Sequence, residues 1–281
     1  MIHEDDVAFC QGANDAFFEL SALGTISSGS VMVPCPWFSD LALRAADAGS
    51  IDLGVHLTLT SEHEGYRWGP ISRPSDAAGL TDDAGYLWPR VSQVRAHADA
   101  DAVEAEWRAQ IDRAVAAGID VTHLDAHMGA ALAPEWCDRY VALGVEYGIP
   151  ALITVDLASY GPNNHLTGTA EETFAEFVHQ ARSAGMPVFD RVLETDFRRP
   201  RGAPVDYAAM LGDIDPADEL VYCAFHPCAP GEAERIDPEC WHVRVDEYRI
   251  FGESSWAGWL DDRPFEVIGM RALRDEFRSA S

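Results

Sequence analysis

The feature that most constrains the fold is a repeated alternation between short apolar runs and longer amphipathic segments. The apolar runs have the length of strands and cover residues 1–2, 29–33, 51–59, 119–124, 151–155, 220–225 and 265–268. Such alternation is typical of an α/β fold with a parallel sheet. About seven repeats in one chain favour a barrel over an open sheet, so we expect a (β/α) barrel of about seven strands.

Helical segments fit between these runs. The strongest covers residues 102–117 and has one continuous apolar face. Asn14 is expected to cap a helix over residues 15–23. Pro134 is expected to open a helix that ends near Gly148.

The chain has 281 residues, which suits one catalytic domain over residues 1–281. Residues 61–99 are polar and rich in glycine, proline and tryptophan. We interpret them as a long insertion or lid that follows the strand carrying His56. The first strand is expected to be short or frayed, because only Met1 and Ile2 precede His3 and Glu4.

The charge composition excludes several kinds of chemistry. There is no lysine, and 47 acidic residues give a net charge of −27. A Schiff-base lysine and a P-loop are therefore both excluded. Nucleic acid and acidic membrane surfaces would be repelled. We expect neither as a partner.

Localisation and assembly are predicted from the N-terminal residues, the hydropathy and the cysteines. The N-terminal residues carry no signal-peptide pattern, and no apolar run is long enough to span a membrane. The six cysteines form no CxxC pair, which favours free thiols in a reducing compartment. We expect a cytoplasmic protein, with a homodimer as the default assembly.

Polar residues recur at the carboxyl ends of the predicted strands, where α/β folds have their active sites. They are the pair Asp5 and Asp6, then His56, the group His123, Asp125 and His127, and finally His226. Each alone has a structural interpretation, such as a solvated turn for the carboxylates or a core histidine that finds a hydrogen-bond partner. Together they indicate a functional site.

One aspartate with two histidines makes a three-ligand site for a divalent cation and leaves positions open for water and substrate. A bound cation of this kind lowers the pKa of water and polarises a carbonyl group. Hydrolysis then needs a base and an acid. The remaining aspartate can serve as the base and His226 as the acid.

The motifs of this chain resemble those of the YdjC-like carbohydrate deacetylases in order and content. The resemblance runs from residue 1 to about residue 275. Its motifs are Asp5-Asp6-Val7 with Asn14, Gly29-Ser-Val-Met-Val-Pro-Cys-Pro-Trp37, Leu53-Gly-Val-His-Leu-Thr-Leu-Thr60, Thr122-His-Leu-Asp-Ala-His-Met-Gly129, Phe225-His-Pro227, Arg244-Val-Asp-Glu-Tyr-Arg249 and Ile268-Gly-Met-Arg-Ala-Leu273. It implies a deformed (β/α) barrel of the polysaccharide-deacetylase type.

The resemblance also implies roles for individual residues. Asp6, His56 and His127 would hold one divalent metal ion, Zn²⁺ or Mg²⁺. Asp5 would be the general base and His226 the general acid. Asp125, together with His123, would orient a ligand or the base. The implied reaction is hydrolysis of an N-acetyl group on an amino sugar or small glycoconjugate, with release of acetate.

Details of the motifs and the aromatic residues bear on the substrate. Met-Gly-Ala-Ala follows His127 in place of the histidine-rich continuation of the chitooligosaccharide members, which disfavours that substrate. Trp37, Trp68 and Arg249 are candidates for contact with a small carbohydrate. The alternatives are a catalytically impaired sugar-binding relative and another metal-dependent barrel hydrolase. Metal content would separate the binding relative from the deacetylase.

Overall fold

The computed structural model describes residues 1–49, 51–160, 169–215 and 218–280. These residues form one sheet of six parallel strands in the order β4-β3-β2-β1-β6-β5. The strands are β1 Ile2–Val7, β2 Ser28–Val31, β3 Leu53–Leu57, β4 Val121–Ala126, β5 Arg191–Glu194 and β6 Val221–Phe225. The α/β class with a parallel sheet is therefore confirmed.

The count of about seven strands is wrong for the described residues. Residues 151–155 make only isolated bridges, from Ala151 to Leu124 of β4 and from Thr154 to Phe189 just before β5. This segment spans the gap between the two outer strands of the curled sheet. Residues 265–268 form no strand, whereas β5 was missed because its short Arg-Val-Leu-Glu sequence carries charges at both ends.

Eleven α-helices connect or flank the strands in the described part of the chain. They are α1 Gln11–Leu23, α2 Phe38–Ala48, α3 Val91–His97, α4 Ala100–Ala116, α5 Cys137–Tyr147, α6 Glu171–Ser183, α7 Tyr207–Gly212, α8 Ala233–Ile236, α9 Trp241–Phe251, α10 Ser254–Asp261 and α11 Met270–Ala280. None of those described is both long enough and apolar enough to cross a bilayer.

Local hydrogen bonds explain where α4 begins and how α1 is attached to β1. The side chain of Asp99 accepts the backbone N–H groups of Asp101 and Ala102 and so caps α4. Asn14 is not a cap, because α1 already begins at Gln11. Its Oδ1 instead accepts the backbone N–H of Ala8 at 2.9 Å, which ties the helix to the turn after β1.

The first strand is neither short nor frayed. β1 lies between β2 and β6 in the middle of the sheet and pairs with both. His3 and Glu4, whose polarity suggests a strand end, are fully buried within it. The position of Asp5 and Asp6 at the carboxyl end of β1 is therefore firmly set.

Residues 61–99 contain little regular structure apart from α3. Three of their large side chains, those of Trp68, Leu80 and Leu87, are nevertheless buried in the main core. The buried Glu106 on α4 fastens the segment by accepting the backbone N–H groups of Ile71 and Ser72 at 3.1 and 2.9 Å. Its motion as a lid stays a prediction.

Candidate active site

A cavity of about 460 Å³ lies at the carboxyl ends of the central strands. This is the edge at which parallel α/β sheets bind ligands. The structure brings six of the sequence-predicted residues to its wall, namely Asp5, Asp6, His56, Asp125, His127 and His226. Residues more than 200 positions apart in the chain thus meet at one site.

A bulge explains why Asp5 and Asp6 both face this cavity. Neighbouring residues of a regular strand point to opposite faces of the sheet. The register between β1 and β2 shifts between Glu4 and Val7, and Asp6 has a φ of 62°, in the left-handed region. Strain of this kind is concentrated at functional sites, and here the bulge redirects one of the two carboxylates.

Three side chains converge on one point and form what we call the cavity triad, Asp6, His56 and His127. Asp6 Oδ1 lies 3.0 Å from His127 Nδ1 and 3.3 Å from His56 Nε2. The three ligand atoms lie within 4.8 Å of one another, and all three residues are buried. An oxygen and two imidazole nitrogens are a donor set suited to a divalent cation.

A carboxylate holds the far nitrogen of each imidazole in the triad. His56 Nδ1 lies 2.9 Å from Asp125 Oδ1, and His127 Nε2 lies 3.0 Å from Glu62 Oε1. Histidines that bind metals are usually oriented in this way, because the carboxylate fixes the tautomer and leaves the other nitrogen for the ion. The triad therefore fits a metal ion, and Glu62 is a residue that the sequence motifs did not single out.

The same carboxylates control the charge of the triad histidines. Burial alone would lower the pKa of His127, but Glu62 and Asp6 raise it to about 9. For His56, the effect of burial is outweighed by Asp125 and Asp6, and the pKa lies well above its usual range. The carboxylates thus stabilise positive charge at the cavity triad, and a bound cation would provide that charge.

Arg244 is the second residue to which the sequence analysis gave no role. Its guanidinium donates to Asp6 Oδ2 at 2.8 Å and lies over the rings of Phe9 and Phe197, 5.0 and 5.1 Å from their centroids. Burial would raise the pKa of Asp6, but Arg244 and His127 hold it well below its usual range. Arg244 keeps Asp6 ionised and turns Oδ1 towards the histidines.

Asp5 and His226 face each other beside the triad. Their Oδ2 and Nε2 atoms are 3.7 Å apart, and the edge of the His226 ring packs against Phe197. Burial lowers the pKa of His226 to about 3. Burial also raises the pKa of Asp5 well above its usual range, with a smaller contribution from Asp125.

Below the cavity, a second group of polar side chains fills the interior of the sheet. We call His3, Ser30, His123, Asp125 and Tyr222 the deep polar cluster. Asp125 Oδ2 accepts the hydroxyl groups of Ser30 and Tyr222 at 2.7 and 2.9 Å and lies 3.3 Å from His3 Nε2. Asp125 therefore joins this cluster to His56, and His123 lies within the cluster rather than against a triad residue.

The structure does not bring the three predicted carbohydrate contacts to the cavity wall. Trp68 is only 3% exposed, and its Nε1 donates to the carbonyl of Thr60. Trp37 packs against the core, and Arg249 is exposed on α9, away from the lining residues. The tryptophans did not predict the carbohydrate site, because large aromatic rings pack in protein cores more often than they contact ligands.

Comparisons with known proteins identify relatives of this chain. The family model described as YdjC-like protein matches residues 1–262. A carbohydrate deacetylase of Thermus thermophilus is 37% identical over 285 residues, which cover 98% of this chain and 93% of that protein. A carbohydrate deacetylase of Listeria monocytogenes serotype 4a is 28% identical over 277 residues, which cover 97% and 99%.

A solved structure shares the fold across its whole length. It is that of a candidate cellobiose-phosphate cleavage protein of Enterococcus faecalis, with a TM-score of 0.77, 19% identity and 97% of each chain covered. At this identity the likeness concerns the fold alone. The family match over most of the chain and the Thermus relative establish the kinship, and this chain belongs to the YdjC-like protein family.

Proposed function

We propose that this chain is a metal-dependent carbohydrate deacetylase that removes an N-acetyl group from an amino sugar or small glycoconjugate and releases acetate. Kinship with proteins named carbohydrate deacetylase over 98% of the chain supports sugar deacetylation. The observation that carries the metal dependence is the cavity triad, in which two imidazoles, each held by a carboxylate, face Asp6.

Asp6, His56 and His127 would hold the ion, and two nitrogens with one oxygen favour Zn²⁺ over Mg²⁺. When bound, a divalent cation would polarise the amide carbonyl, lower the pKa of a water molecule and favour the ionised form of Asp5. Arg244 and Glu62 would keep the ligands in place from outside. The other steps belong to Asp5 and His226.

Asp5 is the base and His226 the acid in this proposal. The carboxylate of Asp5 takes a proton from the attacking water. His226 is neutral because burial lowers its pKa to about 3, so it receives this proton from Asp5 on Nε2 and donates it to the amide nitrogen as the C–N bond breaks. The two atoms are 3.7 Å apart, so an approach of about 0.8 Å would bring them within hydrogen-bond distance and let the proton pass between them.

The cavity favours a small, largely uncharged substrate. Its volume of about 460 Å³ lies within the usual range for small-molecule sites. Carboxylates surround the reacting groups, while Leu132, Leu152 and Val192 supply an apolar wall. The carboxylates outnumber the two lining arginines, Arg198 and Arg244, and so disfavour phosphorylated sugars, whereas the apolar wall can contact the carbon face of a sugar ring.

The direct test is acetate release from N-acetylglucosamine and from short N-acetylated oligosaccharides, before and after chelation and with Zn²⁺, Mg²⁺ or Co²⁺ restored. We expect release that chelation abolishes and one of these ions restores. Release that is insensitive to chelation would contradict the metal dependence. Sugar binding without release in the metal-loaded protein would favour the impaired, sugar-binding relative.

A further inference from the structure

No hydrogen bond fixes the orientation of the His226 imidazole, whose ring contacts only the ring of Phe197 at 4.7 Å between centroids among the aromatic side chains of the described residues. Among the described residues, its Nδ1 has no hydrogen-bond partner, and its Nε2 faces Asp5 across 3.7 Å. Catalytic histidines are commonly held through the nitrogen that does not react, as His56 and His127 are here. His226 must be positioned in another way.

The backbone on both sides of His226 is attached to α9. The N–H of His226 donates to Glu247 Oε2 at 2.7 Å. Two residues later, the N–H of Cys228 donates to the carbonyl of Arg244 at 3.1 Å. Pro227 lies between them and restricts the backbone of His226 to extended conformations. The segment that carries the imidazole is therefore fixed at both ends.

Glu247 is itself tightly held. It is fully buried, and its Oε1 accepts the hydroxyl group of Thr195 at 2.6 Å and that of Tyr207 at 3.3 Å. These contacts fix the carboxyl group between the end of β5 and α7. Its second oxygen is left for the His226 backbone.

The position of Glu247 on α9 gives this contact a further consequence. Arg244 lies one helical turn earlier on the same face and reaches Asp6 at the end of β1. One rigid helix thus holds the carboxylate at the end of β1 and the imidazole segment at the end of β6. Asp6 is the proposed metal ligand next to the base Asp5, so the helix fixes the acid relative to both, as catalysis at one substrate requires.

We propose that Glu247 is a positioning residue, which holds the backbone N–H of His226 so that the imidazole faces Asp5 across the cavity. It acts as a hydrogen-bond acceptor and does not touch the substrate. The inference rests on the proposed deacetylase function, in which His226 is the acid. It concerns a residue to which neither the sequence motifs nor the relatives' names give a role.

The test compares Glu247→Met with Glu247→Gln. Methionine keeps the volume but removes the acceptor, whereas glutamine keeps a carbonyl oxygen for the His226 N–H. We expect Glu247→Met to lower kcat about 10- to 100-fold with KM and bound metal within about twofold of the unmodified protein, because misplacement by about 1 Å can cost this much. Glu247→Gln should lose less than about threefold.

A second readout does not depend on activity. NMR resonances of the His226 imidazole should shift or broaden in Glu247→Met and stay close to their original positions in Glu247→Gln. The matched control is Glu106→Met, which removes another fully buried glutamate that accepts backbone N–H groups but lies on α4. It should leave the His226 resonances unchanged.

Three results would overturn the assignment. They are an unchanged kcat and unchanged His226 resonances in Glu247→Met, equal losses in the methionine and glutamine variants, and recovery of Glu247→Met only as unfolded protein, which would make Glu247 a residue of the fold. In a His226→Ala background, Glu247→Met should cause no further loss of kcat. If the unmodified protein releases no acetate, the proposed function fails, while the imidazole resonances still test Glu247.

Discussion

Two regions of this molecule are built from the same residue types on neighbouring strands, yet only one has both of its histidines in the wall of the cavity. The cavity triad and the deep polar cluster each contain an aspartate and two histidines whose ligand atoms lie within 4.8 Å of one another. By composition alone either could hold a metal ion. They differ in what their nitrogen atoms contact and in whether they reach the cavity.

In the deep polar cluster, hydrogen bonds within the core occupy both nitrogens of His3. Its Nδ1 contacts Ser28 at 2.8 Å and its Nε2 contacts Ser30 at 3.1 Å. In the triad, one nitrogen of each histidine is held by a carboxylate and the other faces Asp6. The comparison teaches that the far-side partner of a histidine, rather than its place on a strand, separates a candidate ligand from a core residue.

The largest difference between the two regions should come from removing one histidine from each. His127→Ala removes a ligand, so we expect loss of bound metal and a fall in deacetylation of at least about 1,000-fold. His123→Phe should retain the metal. Metal content by mass spectrometry and acetate release check both variants. A His127→Ala protein that keeps one full equivalent of metal would contradict the assignment of His127 as a ligand.

Asp5 lies between the deep polar cluster and the proposed acid, since its Oδ1 lies 3.3 Å from His3 Nε2 and its Oδ2 faces His226. Asp5→Asn removes the base and should lower kcat by about 100- to 10,000-fold. Bound metal should stay at the level of the unmodified protein. Loss of metal together with activity would instead make Asp5 a ligand.

The guanidinium of Arg244 contacts the cavity triad through Asp6 and makes no described contact with the deep polar cluster. Its loss should weaken metal binding without abolishing it. Arg244→Gln leaves Asp6 Oδ2 without its charged partner, so we expect the metal dissociation constant to rise about 10- to 100-fold. Competition with a fluorescent chelator measures this constant. Tight binding in Arg244→Gln would show that Asp6 is held adequately by its backbone.

The deep polar cluster should make the free energy of unfolding decrease at low pH. Burial lowers the pKa of His123 from its usual value of 6.5 to about 3. As the pH falls, His123 is therefore protonated in the unfolded chain before it is protonated in the folded one. The free energy of unfolding is highest above about pH 6.5 and decreases as the pH falls towards about 3. At about pH 5 the loss is about 2 kcal/mol from His123 alone. His123→Phe should reduce the difference in unfolding free energy between about pH 7.5 and about pH 5.

The smallest expected effect concerns Tyr222. Tyr222→Phe removes one of the hydroxyl groups that Asp125 accepts, so the free energy of unfolding should fall by about 1 kcal/mol. Metal content should not change. Urea denaturation followed by circular dichroism measures the first quantity. A large loss of metal would show that the deep polar cluster controls the triad more strongly than the comparison implies.

Much of this arrangement follows from the sequence. The strand runs and their polar ends predicted the parallel sheet and six residues of the cavity wall, because the carboxyl ends of parallel strands share one edge. The bulge at Asp6 could not be predicted, since regular alternation separates Asp5 from Asp6. Glu62, Arg244 and Glu247 were given no role, because only the fold brings them to their partners, which are distant in sequence. Trp68 was misjudged because a tryptophan-rich irregular segment resembles an exposed one.

The most direct test of the metal assignment is an anomalous diffraction map at the zinc edge, from crystals of this protein grown with Zn²⁺. We predict one strong peak bounded by Asp6, His56 and His127, with zinc-to-nitrogen distances of about 2.0–2.1 Å. A peak among His3, His123 and Asp125, or no peak at the triad of a fully folded protein, would contradict it.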